Sequence, residues 1–309
     1  PKPNEVLIKI CATTVSAADW RARSLTMPKG LGLVGRLVFG IKGPRKPILG
    51  TELSGVIDTV GTEVTNYQPG DAVIGFLGAK FGAHAEFVTM PADGNLILKP
   101  DNIGFEQAAA IPFGATTAYD FLINKVRLQA GEAVLINGAS GSVGSACVQI
   151  AKHIGAHVTA VCSGKNAQLV RRLGADHVID YCTQDIVRDG VHYDVLVDAV
   201  GTLPWSKAQH AARPSGRMVL IAGKTSDMLF GALKAKLKGK KMIGGVARES
   251  RELLAEVVGL AAEGVFQPVI DRNFPFDDMR AAHTLVDTGH KRGNVVVSVA
   301  KLLEPTKVG

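Results

Sequence analysis

The feature that most constrains this chain is a glycine-rich turn between an apolar run and a helix-like segment. The apolar run AVLIN covers residues 133–137, the turn continues to Gly144, and residues 145–153 have a helix-like pattern. Small residues in such a turn let backbone N–H groups approach a phosphate, and the helix N-terminus adds a partial positive charge. The segment therefore predicts a pyrophosphate site, and a dinucleotide is the first ligand to consider.

The glycine pattern alone does not separate a nucleotide site from an ordinary strand–helix turn. It departs from the spacing G-x-G-x-x-G, because the matching positions are Ala139, Gly141 and Gly144. The flanking chain favours the nucleotide site. A helix-like stretch at 166–173 lies among further β-like runs, which cover residues 156–162, 177–180, 191–198 and 216–222. Strands that alternate with helices predict an α/β fold with a doubly wound parallel sheet.

Two glycines and two polar side chains extend the predicted site. Gly201 and Gly223 follow the last two predicted strands, at the carboxyl ends where such sheets bind ligands. The second strand ends in VCSGKN at 161–166, which has no carboxylate to accept a hydrogen bond from a ribose 2′-hydroxyl. Ser163 and Lys165 suit a 2′-phosphate instead, so NADPH is the predicted cofactor. The alternative for Lys165 is a solvated surface lysine.

The composition predicts a soluble protein of two domains. The chain has 309 residues, and no apolar run approaches the length of a membrane span. Four cysteines form no C-x-x-C pair and are expected to be free thiols in a reducing cytoplasm, namely Cys11, Cys147, Cys162 and Cys182. The net charge of +7 comes partly from the segment 228–241. A solvated helix face, a membrane-surface contact and a polyanion patch stay open for it, although it lacks the interleaved aromatic residues of nucleic-acid sites.

The N-terminal third has a different sequence pattern, which predicts a β-rich domain. Alternating or apolar runs separated by glycine and proline turns cover residues 5–10, 53–60, 71–75 and 83–88. Near the C-terminus, a β-like run at 292–299 follows a helix-like stretch at 276–286 and is expected to return to this domain. The insertion at 27–46 is rich in glycine and apolar residues, and we expect a mobile loop over the site.

Four motifs, in this order, resemble those of the medium-chain dehydrogenase/reductase superfamily. They are NGASGSVG at 137–144, LGADHVIDY at 173–181, DVLVDAVG at 194–201 and GHKRGNVV at 289–296. The nearest branch resembles the zinc-independent, NADPH-dependent quinone oxidoreductases related to zeta-crystallin. The resemblance implies a GroES-like catalytic domain at 1–112 and 266–309 around a Rossmann domain at 113–265. It also implies that one or two further N-terminal strands precede Pro1.

The resemblance also bears on metal use. Zinc-dependent members hold a catalytic ion partly through the histidine of a Gly-His-Glu motif, and this chain has Thr51 at that position. The early cysteine position falls in TVSAADW at 14–20, which has no thiol. Cys11 and His84 lack partners at suitable spacing, so we predict no metal.

Without zinc, hydride transfer to an electron-poor acceptor is easier than alcohol oxidation. The predicted function is reduction of a quinone or an α,β-unsaturated carbonyl, a small hydrophobic electrophile, by NADPH. Two alternatives stay open. One is a zinc-less NADP-dependent alcohol or aldehyde oxidoreductase, and the other is a non-catalytic NADPH-binding sensor or RNA-binding protein.

The resemblance assigns site residues position by position. The glycine turn itself places Ser140, Gly141, Ser142, Val143 and Gly144 at the pyrophosphate. The resemblance adds Tyr181 at the adenosine ribose phosphate, with a half-buried tyrosine at a strand end as the alternative, and Asn294, where many relatives have lysine. The expected catalytic residues are Asp19 and Thr117, although turn formation by Asp19 and helix capping by Thr117 are the structural alternatives. The expected substrate contacts are Trp20, Phe39, Phe76 and Arg248. A homodimer through the edge strand near 241–246 is expected by analogy.

Overall fold

The computed structural model describes residues 1–25, 46–222, 232 and 235–299. The N-terminal part contains five strands: β1 (Glu5–Val15), β2 (Glu52–Val60), β3 (Ala72–Phe76), β4 (Phe87–Pro91) and β5 (Leu96–Leu98). Helix α1 (Ala17–Ser24) directly follows β1. These strands pair antiparallel, with β1 at the centre between β2 and β4. Strand β1 is longer than its predicted run because its buried residues continue to Val15.

Three helical segments lead from this sheet towards the middle of the chain. They are α2 (Phe105–Ala109), α3 (Pro112–Tyr119) and a π-helical turn (Asp120–Lys125). Helix α3 begins with proline, which suits the first turn because its missing N–H has no intrahelical partner there.

The central part is a six-stranded parallel sheet with flanking helices. Its strands are β6 (Ala133–Asn137), β7 (His157–Cys162), β8 (His177–Asp180), β9 (Tyr193–Asp198), β10 (Ala212–Leu220) and β11 (Lys241–Gly244). Its helices are α4 (Ser142–Ile154), α5 (Ala167–Arg172) and α6 (Trp205–Ala211). The spatial order is β11-β10-β9-β6-β7-β8. The order therefore reverses between β6 and β9, and this switch point is where sheets of this kind bind ligands.

The C-terminal part contributes α7 (Arg251–Ala262), β12 (Ile270–Pro275), α8 (Met279–Asp287) and β13 (Asn294–Ser298). Strand β13 pairs antiparallel with β1, so the chain returns to the first sheet as the sequence predicts. Two main hydrophobic clusters support the sheets, and Ile74 and Phe76 of β3 join the cluster of the parallel sheet. One surrounds Ile8, Leu53 and Val73, and the other fills the faces of the parallel sheet around Leu135 and Ile136.

The predicted fold class, a Rossmann sheet with a β-rich GroES-like domain, is confirmed. The domain boundaries 1–112, 113–265 and 266–309 stay a prediction. The β-like run at 83–88 was placed too early, since β4 begins at Phe87. The His84 backbone N–H instead donates to the Leu49 carbonyl at 2.8 Å, which takes this residue out of the ladder.

Several sequence features lie partly or wholly outside the described residues. The insertion 27–46 is described only at Lys46, and the basic segment 228–241 only at residue 232 and from residue 235 onward. Among the helices that the structure describes, none is both long and apolar enough to cross a membrane.

Candidate active-site cleft

The glycine turn between β6 and α4 is built on very close backbone approaches. Gly138 has φ of +81°, and a Cβ at this position would lie 2.6 Å from the Val200 Cγ1 atom. A Cβ on Gly144 would lie 2.1 Å from the Gly138 carbonyl oxygen. Gly141 is less crowded, since its nearest such contact is 3.5 Å. Gly138 and Gly144 thus hold the first turn of α4 against the end of β6.

The start of α4 is available to an anion. Gly141 precedes the helix in an extended conformation, and no side chain caps the helix there. The N–H groups of the first turn, on Ser142, Val143 and Gly144, have no intrahelical acceptor. Together with the helix dipole, they offer donors and a partial positive charge to a phosphate.

Asp198, at the end of β9, organises the loop that faces this turn. Its carboxylate accepts hydrogen bonds from the N–H groups of Gly201 and Leu203, both at 2.9 Å. It also accepts one from the Asn137 side chain at 2.9 Å. Burial raises the pKa of Asp198, while these donors act in the opposite direction. The predicted residue Gly201, with φ of +83°, therefore turns the backbone around Asp198.

An elongated cavity of about 480 Å³, here called the outer groove, lies beside the turn. It brings together five predicted cofactor residues, Ser140, Gly141, Ser163, Lys165 and Tyr181. The Asn166 side chain donates to the hydroxyl oxygens of Ser140 at 3.1 Å and Ser163 at 3.3 Å, which joins the glycine turn to the end of β7. Among the described residues that line this groove there is no aspartate or glutamate.

A second cavity of about 240 Å³, the inner groove, lies between the two sheets. Trp20 and Arg21 of α1 and Phe113 of α3 form one side, and the first turn of α4 forms the other. The two grooves adjoin, since they share Gly138, Gly141, Val200, Gly289 and Lys291. An extended ligand can therefore span both grooves across the start of α4.

Lys291 is the charged side chain at this shared boundary, and the sequence-based prediction missed it. Its ammonium donates to the Gly293 carbonyl oxygen. Burial lowers the pKa of Lys291 to about 8, although Glu52 and Asp271 act in the opposite direction. The sequence signal that could have identified Lys291 is its position in the GHKRGNVV motif, three residues before Asn294.

Asn294 lies at the inner groove but is occupied by protein contacts. Its side-chain carbonyl accepts from the Ser142 hydroxyl at 2.6 Å, and its amide donates to the Val269 carbonyl at 3.1 Å. The neighbouring Gly293 N–H donates to the Ser140 carbonyl at 2.8 Å. Asn294 therefore positions the start of α4 and links it to the sheet that contains β13 and β1.

The two predicted catalytic residues are used by the fold. Asp19 is fully buried, and its carboxylate accepts from the Ser16 N–H and hydroxyl at 2.8 and 2.6 Å and from the Gly50 N–H at 2.7 Å. The Thr117 hydroxyl donates to the Phe113 carbonyl at 2.7 Å within α3. Neither residue lines either groove. For both, the structure agrees with the structural alternative, because a capping box and a helical back-bond satisfy the polar atoms.

The predicted substrate contacts separate in space. Trp20 lines the inner groove, whereas Phe76 is buried in the hydrophobic core behind β3. Arg248 is exposed and outside both grooves, and its backbone N–H donates to Asp120 at 2.9 Å. Phe39 and Gly223 lie outside the described residues.

The residues at the position where zinc-dependent members have their histidine ligand do not fit a catalytic zinc ion. The Thr51 hydroxyl is buried and has no hydrogen-bond partner. Adjacent Glu52 accepts from the Thr14 hydroxyl and, at 2.6 Å, from the Phe113 N–H, and burial raises its pKa to about 7. In the part of the chain that the structure describes, no three His, Cys, Asp or Glu side chains are grouped to hold a metal.

A parallel sheet with this strand order, a glycine turn at its switch point and a second antiparallel sheet across the cleft define a dehydrogenase-type nucleotide-binding protein. Residues 2–101 match the family described as alcohol dehydrogenase GroES-like domain, and residues 173–297 match the family described as zinc-binding dehydrogenase. The chain belongs to the medium-chain dehydrogenase/reductase superfamily, and it is an oxidoreductase.

Named relatives cover nearly the whole chain. The mitochondrial NAD(P)H oxidoreductase RTN4IP1 of Mus musculus is 35% identical over 96% of this chain and 82% of its own length. The chloroplastic quinone-oxidoreductase homolog of Spinacia oleracea is 31% identical over 96% and 90%. Among solved structures, the quinone oxidoreductase from Coxiella burnetii is 28% identical, with a TM-score of 0.83 over 97% of this chain and 92% of that one. The Escherichia coli quinone oxidoreductase complexed with NADPH is 25% identical, with a TM-score of 0.81 over 97% and 93%.

Proposed function

We propose that this protein is an NADPH-dependent, zinc-independent reductase that transfers hydride to a quinone or an α,β-unsaturated carbonyl. The observation that carries the proposal is the outer groove. Ser163, Lys165 and Tyr181 meet there beside the glycine turn, and no carboxylate is among the described residues that line it. A cation and hydroxyl groups favour a 2′-phosphate, which a carboxylate would repel.

We assign each part of the cofactor to a set of this chain's own residues. The outer groove suits the adenosine half with its 2′-phosphate, and the first turn of α4 suits the pyrophosphate. The inner groove, beside Trp20 and Phe113, is left for the nicotinamide and the acceptor. The bound cofactor supplies the hydride, while the protein holds donor and acceptor together and limits the access of water.

The acceptor class is supported by the lining of the inner groove and by the relatives. Trp20, Phe113 and Val286 give this groove an apolar wall suited to a flat, hydrophobic electrophile. Similar proteins are named quinone oxidoreductase and NADPH-dependent alkenal/one oxidoreductase. The zinc-independent mechanism is supported by Thr51, whose hydroxyl is a poor ligand for zinc.

A screen of NADPH oxidation tests the proposed function. The full chain is incubated with NADPH and, in separate reactions, with benzoquinones, alkenals, enones and simple aldehydes, and absorbance of the reduced cofactor is followed. We expect turnover with quinones or enones. Turnover of aldehydes alone would favour the alcohol or aldehyde oxidoreductase, and NADPH binding without any turnover would favour a sensor or RNA-binding protein.

Lys291 is expected to bind the pyrophosphate, because it is the cation at the boundary of the two grooves. Substitution Lys291→Met should raise the Kd of both NADPH and NADH by about 10-fold or more, the effect of losing one hydrogen bond to a charged group. The affinity for 2′-AMP, which lacks a pyrophosphate, should not change. Fluorescence titration of the bound reduced cofactor and competition by 2′-AMP give these constants.

The same lysine predicts a pH dependence of cofactor binding. Since the pKa of Lys291 is about 8, its ammonium is present below that pH and is lost as the pH rises through it. NADPH affinity of the wild type should therefore fall between about pH 7 and pH 9. The Lys291→Arg protein should keep its charge and show no such fall. A parallel decline in both proteins would assign the titration to another group.

A homodimer is part of the proposal, with β11 as the candidate contact. This strand forms the outer edge of the parallel sheet and pairs with β10 on one side only among the described strands. An edge of this kind exposes backbone donors and acceptors that a second copy can pair.

A further inference from the structure

Arg21 presents an unpaired cation to the inner groove. It lies on α1, is half-buried and lines the groove beside Trp20. Burial lowers the pKa of Arg21. A carboxylate close to the guanidinium would raise this pKa, and none among the described residues does so. Across the described part of the chain, the guanidinium has neither a hydrogen bond nor an ion pair. Because a half-buried cation without a partner costs folding free energy, such a group is a candidate for ligand recognition.

The nearby acidic groups are already engaged elsewhere. Asp287, which also lines the inner groove, forms an ion pair with Arg23. The carboxylate of Asp19 accepts from Ser16 and Gly50. Arg21 and Arg23 therefore differ sharply although both lie in the last turn of α1. Arg23 is exposed and paired, whereas Arg21 is half-buried and its five donors have no acceptor among the described residues.

We propose that the Arg21 guanidinium binds the carbonyl oxygen of the acceptor and stabilises the negative charge that hydride transfer places on it. This inference rests on the proposed reductase function. The cofactor pyrophosphate is a less suitable partner, because it belongs at the boundary that Lys291 and the start of α4 occupy. Arg21 lines only the inner groove, on the side where the acceptor is expected.

The chemistry of the step explains why a cation is needed there. When hydride adds to the β-carbon of an enone, a C–H bond forms and the π electrons move to oxygen, which gives an enolate. The two electrons come from NADPH, which becomes NADP⁺, and a proton from water then adds to the α-carbon to give the saturated ketone. With a quinone, the product is a hydroquinone anion that water protonates. Arg21 stays protonated and supplies electrostatic stabilisation only.

This arrangement replaces the electrophile that a metal would otherwise supply. A bound zinc ion polarises a substrate oxygen, and the residues around Thr51 do not fit one. A guanidinium in the same cleft stabilises the oxyanion without a metal. The loss of one donor of this kind typically reduces kcat by about 10²- to 10³-fold.

Kinetics of Arg21→Met with a neutral enone or quinone test the proposal. We expect kcat to fall by about 100-fold, while the Kd of NADPH changes by less than about twofold, within the range of indirect effects. Arg21→Lys should recover part of the rate, and added guanidinium should recover part of the rate of Arg21→Ala. The matched control is Arg280→Met, which removes an exposed cation outside both grooves and should keep the wild-type kcat. A weakened NADPH affinity with unchanged kcat would overturn the proposal and assign Arg21 to the cofactor.

A binding measurement tests the binding of an oxyanion by Arg21 independently of turnover. 4-Nitrophenol, whose anion carries negative charge on its phenolate oxygen and, by resonance, on its nitro group, is titrated into the NADP⁺ complex and followed by its absorbance. We expect the wild type and Arg280→Met to bind the yellow phenolate and to lower the pKa of the probe, and Arg21→Met to lose this shift. Equal shifts in all three proteins would overturn the role of Arg21. If the phenolate shift depends on Arg21 but no quinone or enone is reduced, the oxyanion site stands and the proposed reductase function fails.

Discussion

Replacing Gly144 by alanine is expected to destabilise the protein by about 3 kcal/mol or more and to abolish measurable NADPH binding. The added methyl group would lie 2.1 Å from the Gly138 carbonyl oxygen and 2.8 Å from the Ala139 Cα atom. Both contacts are with backbone, so relief requires α4 to move away from the end of β6. That movement would displace the N–H groups that are expected to bind the pyrophosphate.

A second helical glycine provides the control for this substitution. Gly259 lies within α7, and a Cβ there would meet no atom within 4 Å. Gly259→Ala should therefore stabilise the protein by up to about 1 kcal/mol, the helix propensity difference between the two residues. Urea denaturation measures the free energy of unfolding for both variants, and cofactor fluorescence measures binding. If Gly144→Ala were as stable as Gly259→Ala, the tight packing of α4 against β6 would be refuted.

Lys165→Ala is expected to raise the Kd of NADPH by about 10- to 100-fold and that of NADH by less than about twofold. Lys165 lines the outer groove with Ser163 and Tyr181, where the 2′-phosphate is expected. A hydrogen bond to a charged group contributes about 1.5–3 kcal/mol, and each 1.4 kcal/mol is a factor of ten in Kd. NADH lacks the 2′-phosphate, so it reports on the rest of the site.

The control for the Lys165 variant is Lys238→Ala, which removes the same charge from an exposed position outside the grooves. It should leave both dissociation constants unchanged. Raising the salt concentration should weaken NADPH binding to the wild type more than to Lys165→Ala, because screening acts on the charge pair. Equal losses of NADH and NADPH affinity in Lys165→Ala would contradict the 2′-phosphate assignment.

The elements that were predicted well from the sequence depend on local pattern. Strand β6, the turn at Gly144 and α4 follow one another directly, so apolar run, small residues and helix period suffice to place them. Ser163 and Lys165 line the outer groove because they directly follow β7, and the carboxyl ends of parallel strands meet at one edge of the sheet.

The predicted site residues that lie away from the grooves are side chains whose position depends on a distant partner. Asp19 carries a reactive group, but its carboxylate is bound by Ser16 and by Gly50, which is 31 positions away. Phe76 is a large apolar residue of the kind that lines a cleft, but it lies in the hydrophobic core. Residue type shows what a side chain can do, whereas its hydrogen bonds decide what it is free to do.

The sequence by itself determined the alternation of strands and helices, the glycine turn between β6 and α4 and the preference for a phosphorylated cofactor. These properties depend on hydrophobic period, on glycine and on the charge next to a strand end, which neighbouring residues specify. Only the tertiary structure decided that Lys291 lies where the two grooves meet and that Arg21, unlike Arg23, faces the inner groove with no partner in the described part of the chain. The reason is physical: burial and pairing of a charge are set by chain segments far apart in sequence, and these come together only when the two sheets close around the cleft.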